Sequence, residues 1–73
     1  MTQTSDQISI QVNGELCRCD AAIALPDLLA HLKLNPRLVV VEYNGEILHR
    51  QFWAQTQVHS GDRLEIVTIV GGG

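Results

Sequence analysis

The sequence predicts an α+β domain in which a mixed sheet of 4-5 strands carries one helix packed across a face. Three observations predict it. Two Asn-Gly pairs, Asn13-Gly14 and Asn44-Gly45, each join runs that read as strands. Such a pair suits a two-residue hairpin turn, which requires positive φ at both positions. Leu25, Leu28, Leu29 and Leu32 fall at i, i+3, i+4 and i+7, one stripe of a single helix. The third observation is length: 73 residues have room for two layers around one small core, hence a single domain over residues 1–73.

Each element has its own signal. Residues 1–7 are polar and aperiodic and are expected to form a flexible N-terminal arm. Ile8, Ile10 and Val12 alternate with Ser9 and Gln11, the pattern of a half-buried strand. A two-residue turn at Asn13-Gly14 pairs Val12 with Glu15, so Cys17 and Cys19 on the return strand share the face of Ile8 and Ile10. In the helix, Pro26 and Asp27 suit the first turn. Ala24 stands where a capping side chain would help, and Asn35-Pro36 is expected to end the helix. Residues 38–43 are β-branched and apolar and read as a third strand, and residues 46–49 as its short partner beyond Asn44-Gly45. Residues 51–56 form a connector with Phe52 and Trp53, and Ser60-Gly61-Asp62 is a turn. Residues 63–70 make the last strand, expected to lie beside the first with the helix in the crossover. The sequence ends on Gly71, Gly72 and Gly73.

Composition excludes several function classes. The net charge is −3 and the pI is about 5.4. Arg18, Lys33, Arg37, Arg50 and Arg63 are the only strong cations, and they are scattered, so no nucleic-acid partner is expected. Two cysteines do not make a secreted disulfide framework, and no apolar run reaches membrane-spanning length. The expectation is a soluble cytoplasmic protein with no membrane partner and no pocket for catalysis of its own. Cys17-x-Cys19 lacks the further ligands of a metal site and reads as buried structural cysteine. His31, His49 and His59 are too dispersed for a ligand set and read as solvated. No nucleophile elbow or carboxylate pair is evident.

With these elements in place, the residues resemble the ThiS family of sulfur carriers of thiamine biosynthesis. The likeness rests on residues 41–47 (Val-Glu-Tyr-Asn-Gly-Glu-Ile), on Arg50 with Trp53, on residues 61–67 (Gly-Asp-Arg-Leu-Glu-Ile-Val) and on the terminal Val70-Gly71-Gly72-Gly73. The Asn13-Gly14-Glu15 turn and the Asp27-Leu28-Leu29 helix also match, so the resemblance covers about residue 8 to the end. It departs from the family at His49, where proline usually precedes the arginine, and at Ala24, where threonine is usual.

The resemblance implies a ubiquitin-like β-grasp fold and a non-enzymatic carrier. It implies that a ubiquitin-activating-type adenylyltransferase uses Mg-ATP to adenylate the Gly73 carboxylate. Sulfur from a cysteine desulfurase then makes a thiocarboxylate, which serves thiazole synthase; no cofactor is bound by the carrier itself. Gly73 is the reacting residue, and Gly72 and Gly71 give access. Glycine suits such a tail because it has minimal cross-section and free access to positive φ. Three residues reach about 10 Å from the body. A frayed terminus is the bland alternative for the same glycines.

A partner-docking patch is expected on the uncovered sheet face, at Leu64, Ile66, Arg63 and Glu65, with Leu48 as a further contributor. The rival readings are the small sulfur-carrying subunit of molybdopterin synthase, a ubiquitin-like protein modifier, and a purely non-covalent binding module.

Overall fold

The computed structural model describes residues 6–69. Five strands, β1 (Gln7–Val12), β2 (Glu15–Asp20), β3 (Val39–Tyr43), β4 (Glu46–Leu48) and β5 (Arg63–Thr68), form one mixed sheet in the order β2-β1-β5-β3-β4. One helix, α1 (Leu25–His31), packs across a face. The first and last strands are parallel neighbours, with Gln11 opposite Arg63 and Val12 opposite Leu64. The two hairpins are antiparallel and turn at Asn13-Gly14 and Asn44-Gly45, where all four residues have positive φ. In the first hairpin Ile8 faces Cys19 and Ile10 faces Cys17, as the two-residue turn dictates.

The core lies between α1 and the sheet. Leu25, Leu28 and Leu29 of the stripe are fully buried, against Ile10 and Cys19 of the first hairpin, Val39 and Val41 of β3, and Leu64 and Ile66 of β5. Trp53 and Val58 close one end. Trp53 lies in a 3-10 helix, Arg50–Gln55, and its indole N–H donates to the Leu48 carbonyl at 2.9 Å, which satisfies the polar atom of a buried aromatic.

Several boundaries differ from the sequence expectation. Gln7, expected in the N-terminal arm, already pairs with Asp20, and the Asp6 carbonyl accepts from the Ala21 N–H; the rest of the expected arm, residues 1–5, lies outside the described residues. Helix α1 ends before Asn35-Pro36. Its last carbonyls are closed by a Schellman arrangement in which Leu34 N–H reaches Leu29 O at 2.9 Å and Lys33 N–H reaches Ala30 O at 3.0 Å. Lys33 therefore takes φ 62°, a left-handed conformation that glycine usually fills. Asn35 instead caps the next 3-10 turn, Pro36–Leu38, by accepting from Arg37 N–H. That turn removes Leu38 from the third strand. At its start, α1 has no side-chain cap at Ala24; Leu25 N–H donates to the Thr56 carbonyl, so the connector does the capping. Among the described residues β5 runs to Thr68, and Val70, expected in it, lies outside them; β4 stops at Leu48 rather than His49.

Candidate functional site

The sheet has one helix-covered face and one open face, and strand alternation decides which side chains each presents. On β5, Leu64 and Ile66 point to the helix and are 1% and 7% exposed. The expected docking patch is corrected accordingly. Leu64 and Ile66 are core residues, in register with Tyr43 and Val41 on the same face, and offer nothing to a partner. Leu48 is also on the helix side, opposite Val41, and packs against the core. Arg63 and Glu65 are exposed and belong to the open face, together with Val67.

The sequence reading missed the apolar residues that do lie on that face. Val40 pairs with Val67, and Ile47 pairs with Glu42. Val67 and Ile47 remain 60% and 58% exposed, and Ile69 beyond the strand end is exposed as well. The missed signal was register: once β5 buries its even-numbered residues, Val67 must face outward. Val40, Ile47 and Ile69 line a groove of about 260 Å³ together with Leu48, Arg50 and Trp53. Arg50 is fixed there by its guanidinium, 5.4 Å from the Trp53 ring centroid and donating to the Pro36 carbonyl at 2.9 Å.

At the other end of the open face is a concavity of about 450 Å³. Gln11, Glu42, Arg63 and Glu65 line it, and the turn glycines Gly14 and Gly45 flank it. A latch behind Arg63 sets its position. Asn44 N–H donates to the Arg63 carbonyl, and Asn44 Oδ1 accepts from Arg63 N–H at 2.8 Å. Asp62 accepts from Tyr43 Oη, from Asn44 Nδ2 at 3.2 Å and from His59 N–H at 2.7 Å. Burial and the bond to Asp62 push the Tyr43 phenol up to about 12. For Asp62, burial opposes ionisation, but the hydrogen bonds from Tyr43, His59 N–H and Asn44 outweigh it and hold the carboxyl below its ordinary value.

Strand β5 leads directly to the reacting end expected from the sequence. Ile69 N–H is tied to the Leu38 carbonyl, and the chain continues into Val70 and the glycines. Gly71, Gly72 and Gly73 lie outside the described residues. Among the described residues no cluster of three or more His, Cys, Asp or Glu side chains could hold a metal ion, and no helix is long and apolar enough to cross a membrane. Cys19 is buried and Cys17 half-buried; burial, then the neighbouring Cys17 and Asp20, push the Cys19 thiol up.

Comparison with known proteins agrees with this architecture. The family model for the ThiS family matches residues 5–73. Sulfur carrier protein ThiS of Bacillus subtilis is 39% identical over 49 residues, which are 67% of this chain and 74% of that protein. A thiazole synthase of Paramagnetospirillum magneticum is 39% identical over 66 residues, 90% of this chain but 20% of that protein. The crystal structure of the thiamine biosynthesis protein ThiS from Geobacter metallireducens superposes with a TM-score of 0.79 at 35% identity, covering 90% of this chain and all of that one. The fold is thus the ubiquitin-like β-grasp, and the chain belongs to the ThiS family.

Proposed function

We propose that this chain is a sulfur carrier of thiamine biosynthesis whose working group is the Gly73 carboxylate. The observation that carries the reading is that the family match runs through residue 73 and so includes the terminal glycines. The names of the Bacillus and Geobacter relatives favour the thiamine route over the molybdopterin one.

A carboxylate is a poor acyl donor because its oxygen is a poor leaving group. Attack of a Gly73 carboxylate oxygen on the α-phosphorus of Mg-ATP, on a ubiquitin-activating-type adenylyltransferase, expels pyrophosphate and leaves an acyl-adenylate. A persulfide supplied by a cysteine desulfurase attacks the carbonyl carbon and expels AMP. A second thiol then attacks the sulfur distal to the carbonyl, that of the persulfide-bearing cysteine, forming a disulfide with it and leaving the transferred sulfur on Gly73 as the thiocarboxylate. That group, a better nucleophile than the original carboxylate, delivers sulfur to thiazole synthase. The likeness of this chain to a segment of a thiazole synthase supports such a partnership. The β-grasp body serves as the handle, and catalysis belongs to the partners.

The test is intact mass of the protein isolated from cells. A species heavier by replacement of one oxygen with sulfur is expected, and its absence after deletion of Gly73. Normal adenylation of a folded protein lacking Gly73 would overturn the reading.

A further inference from the structure

Glu42 and Glu65 are directly opposite each other on β3 and β5, on the open face. Like charges in that position destabilise a sheet. Both carboxylates line the 450 Å³ concavity, with Arg63 as the cation among its lining residues. Two carboxylates against one guanidinium leave one negative charge there. The glycines at its margin, Gly14 and Gly45, would meet nothing within 4 Å if they carried a Cβ, so the approach is open.

The apolar residues of the same face lie on the tail side of this concavity. Going along β5 from Glu65 come Val67, with Val40 beside it, and then Ile69. Four residues of extended chain separate Glu65 from Ile69 by about 13 Å. A surface that covers Val40, Val67 and Ile47 therefore meets the acidic pair at one end and Ile69, the last described residue before the tail, at the other.

We propose that the open face docks a protein partner that sets an arginine or lysine side chain between Glu42 and Glu65 while an apolar surface covers Val67, Val40 and Ile47. Charge complementarity selects this occupant: a basic group relieves the repulsion that the carboxylates suffer in the free protein, and its desolvation by the apolar surround strengthens the pairing. The partner that would exploit the geometry is the enzyme that grips the tail, so the inference rests on the proposed function for the identity of that partner.

The test measures calorimetric binding of the intact protein to its purified cognate adenylyltransferase at low and high salt, alongside adenylation of Gly73. The double variant E42Q/E65Q is expected to bind about tenfold more weakly and with a flatter salt dependence. Its melting temperature should equal or exceed that of the parent, an outcome that separates lost docking from lost folding. Val67→Asp should weaken binding similarly, and His31→Gln on the exposed side of α1 should not. Unchanged affinity of E42Q/E65Q at both salt concentrations, with Gly73 still adenylated, overturns the docking inference and leaves the carrier function standing. Carboxylate-dependent binding without adenylation supports the docking surface and overturns the carrier function. Failure of the parent to bind overturns both.

Discussion

Tyr43 donates its phenolic hydrogen to Asp62 Oδ2, joining the end of β3 to the loop that precedes β5. Two further donors, Asn44 Nδ2 and His59 N–H, converge on the same carboxylate. The bond couples the second hairpin turn to the start of the strand that leads to the tail, and both partners have shifted titrations with opposite consequences for stability.

The Tyr43 phenol is raised to about 12, so the folded state holds its proton more tightly than the unfolded chain does. Its contribution is complete below the ordinary value of 10.0 and is lost as pH rises through about 12. Asp62 is lowered from 3.8, so its contribution is present above that value and is lost as pH falls through the folded one. Tyr43 is the single tyrosine, so phenolate absorbance reads it alone. The expected results are a titration midpoint near 12, a loss of alkaline destabilisation in Tyr43→Phe, and a flatter acid limb of melting temperature in Asp62→Asn.

Asn13 extends the pairing of β1 with β5 past the hairpin turn. Its Oδ1 accepts from Ile66 N–H at 2.7 Å and its Nδ2 donates to Ile66 O at 3.1 Å. Its φ of 54° is also unfavourable for alanine. Asn13→Ala should therefore lower unfolding free energy by about 2–3 kcal/mol, read from the urea midpoint. Asn13→Asp keeps the acceptor and should fall between the two.

Lys33 holds a left-handed conformation with no Cβ-free residue to relieve it. Lys33→Gly should stabilise the protein by about 0.5–1 kcal/mol after the entropy of glycine is subtracted, raising the melting temperature by about 2–8 °C. A lower melting temperature would show that the cation's interaction with the helix end outweighs the backbone strain.

The two faces of β5 should respond differently to truncation. Leu64→Ala removes a fully buried side chain and should cost about 2–5 kcal/mol in chemical denaturation. Val67→Ala on the open face should change stability by no more than about 0.5 kcal/mol. Equal effects would contradict the register.

Cys17 and Cys19 share a face but not an environment. Native alkylation followed by mass spectrometry should give one adduct, at Cys17, because Cys19 is 3% exposed and its thiolate is disfavoured by burial. Unfolding should expose the second.

The local chemistry of the chain was legible without the fold. Asn-Gly pairs need neighbours only one or two residues away to act as turns, so both hairpins and their registers follow from residues 8–19 and 39–48. The leucine stripe likewise marks α1, since helical spacing is a property of adjacent turns. The resemblance to a family of sulfur carriers likewise rested on motifs written along the chain.

Only tertiary structure decided which side of β5 is core. Its sequence carries apolar residues at Leu64, Ile66 and Val67, with Ile69 just beyond its end, and no strand can bury all of them against one helix. The choice is made by the neighbours: β3 brings Val39 and Val41 to the helix side at Thr68 and Ile66, and β1 brings Val12 there at Leu64. The same registry places Glu42 opposite Glu65, 23 residues away in the chain. Helix α1 stops where it does because Leu34 folds back to bond Leu29, a contact that outweighs the left-handed strain at Lys33. These outcomes depend on long-range packing and on competing local signals, so sequence spacing alone did not contain them.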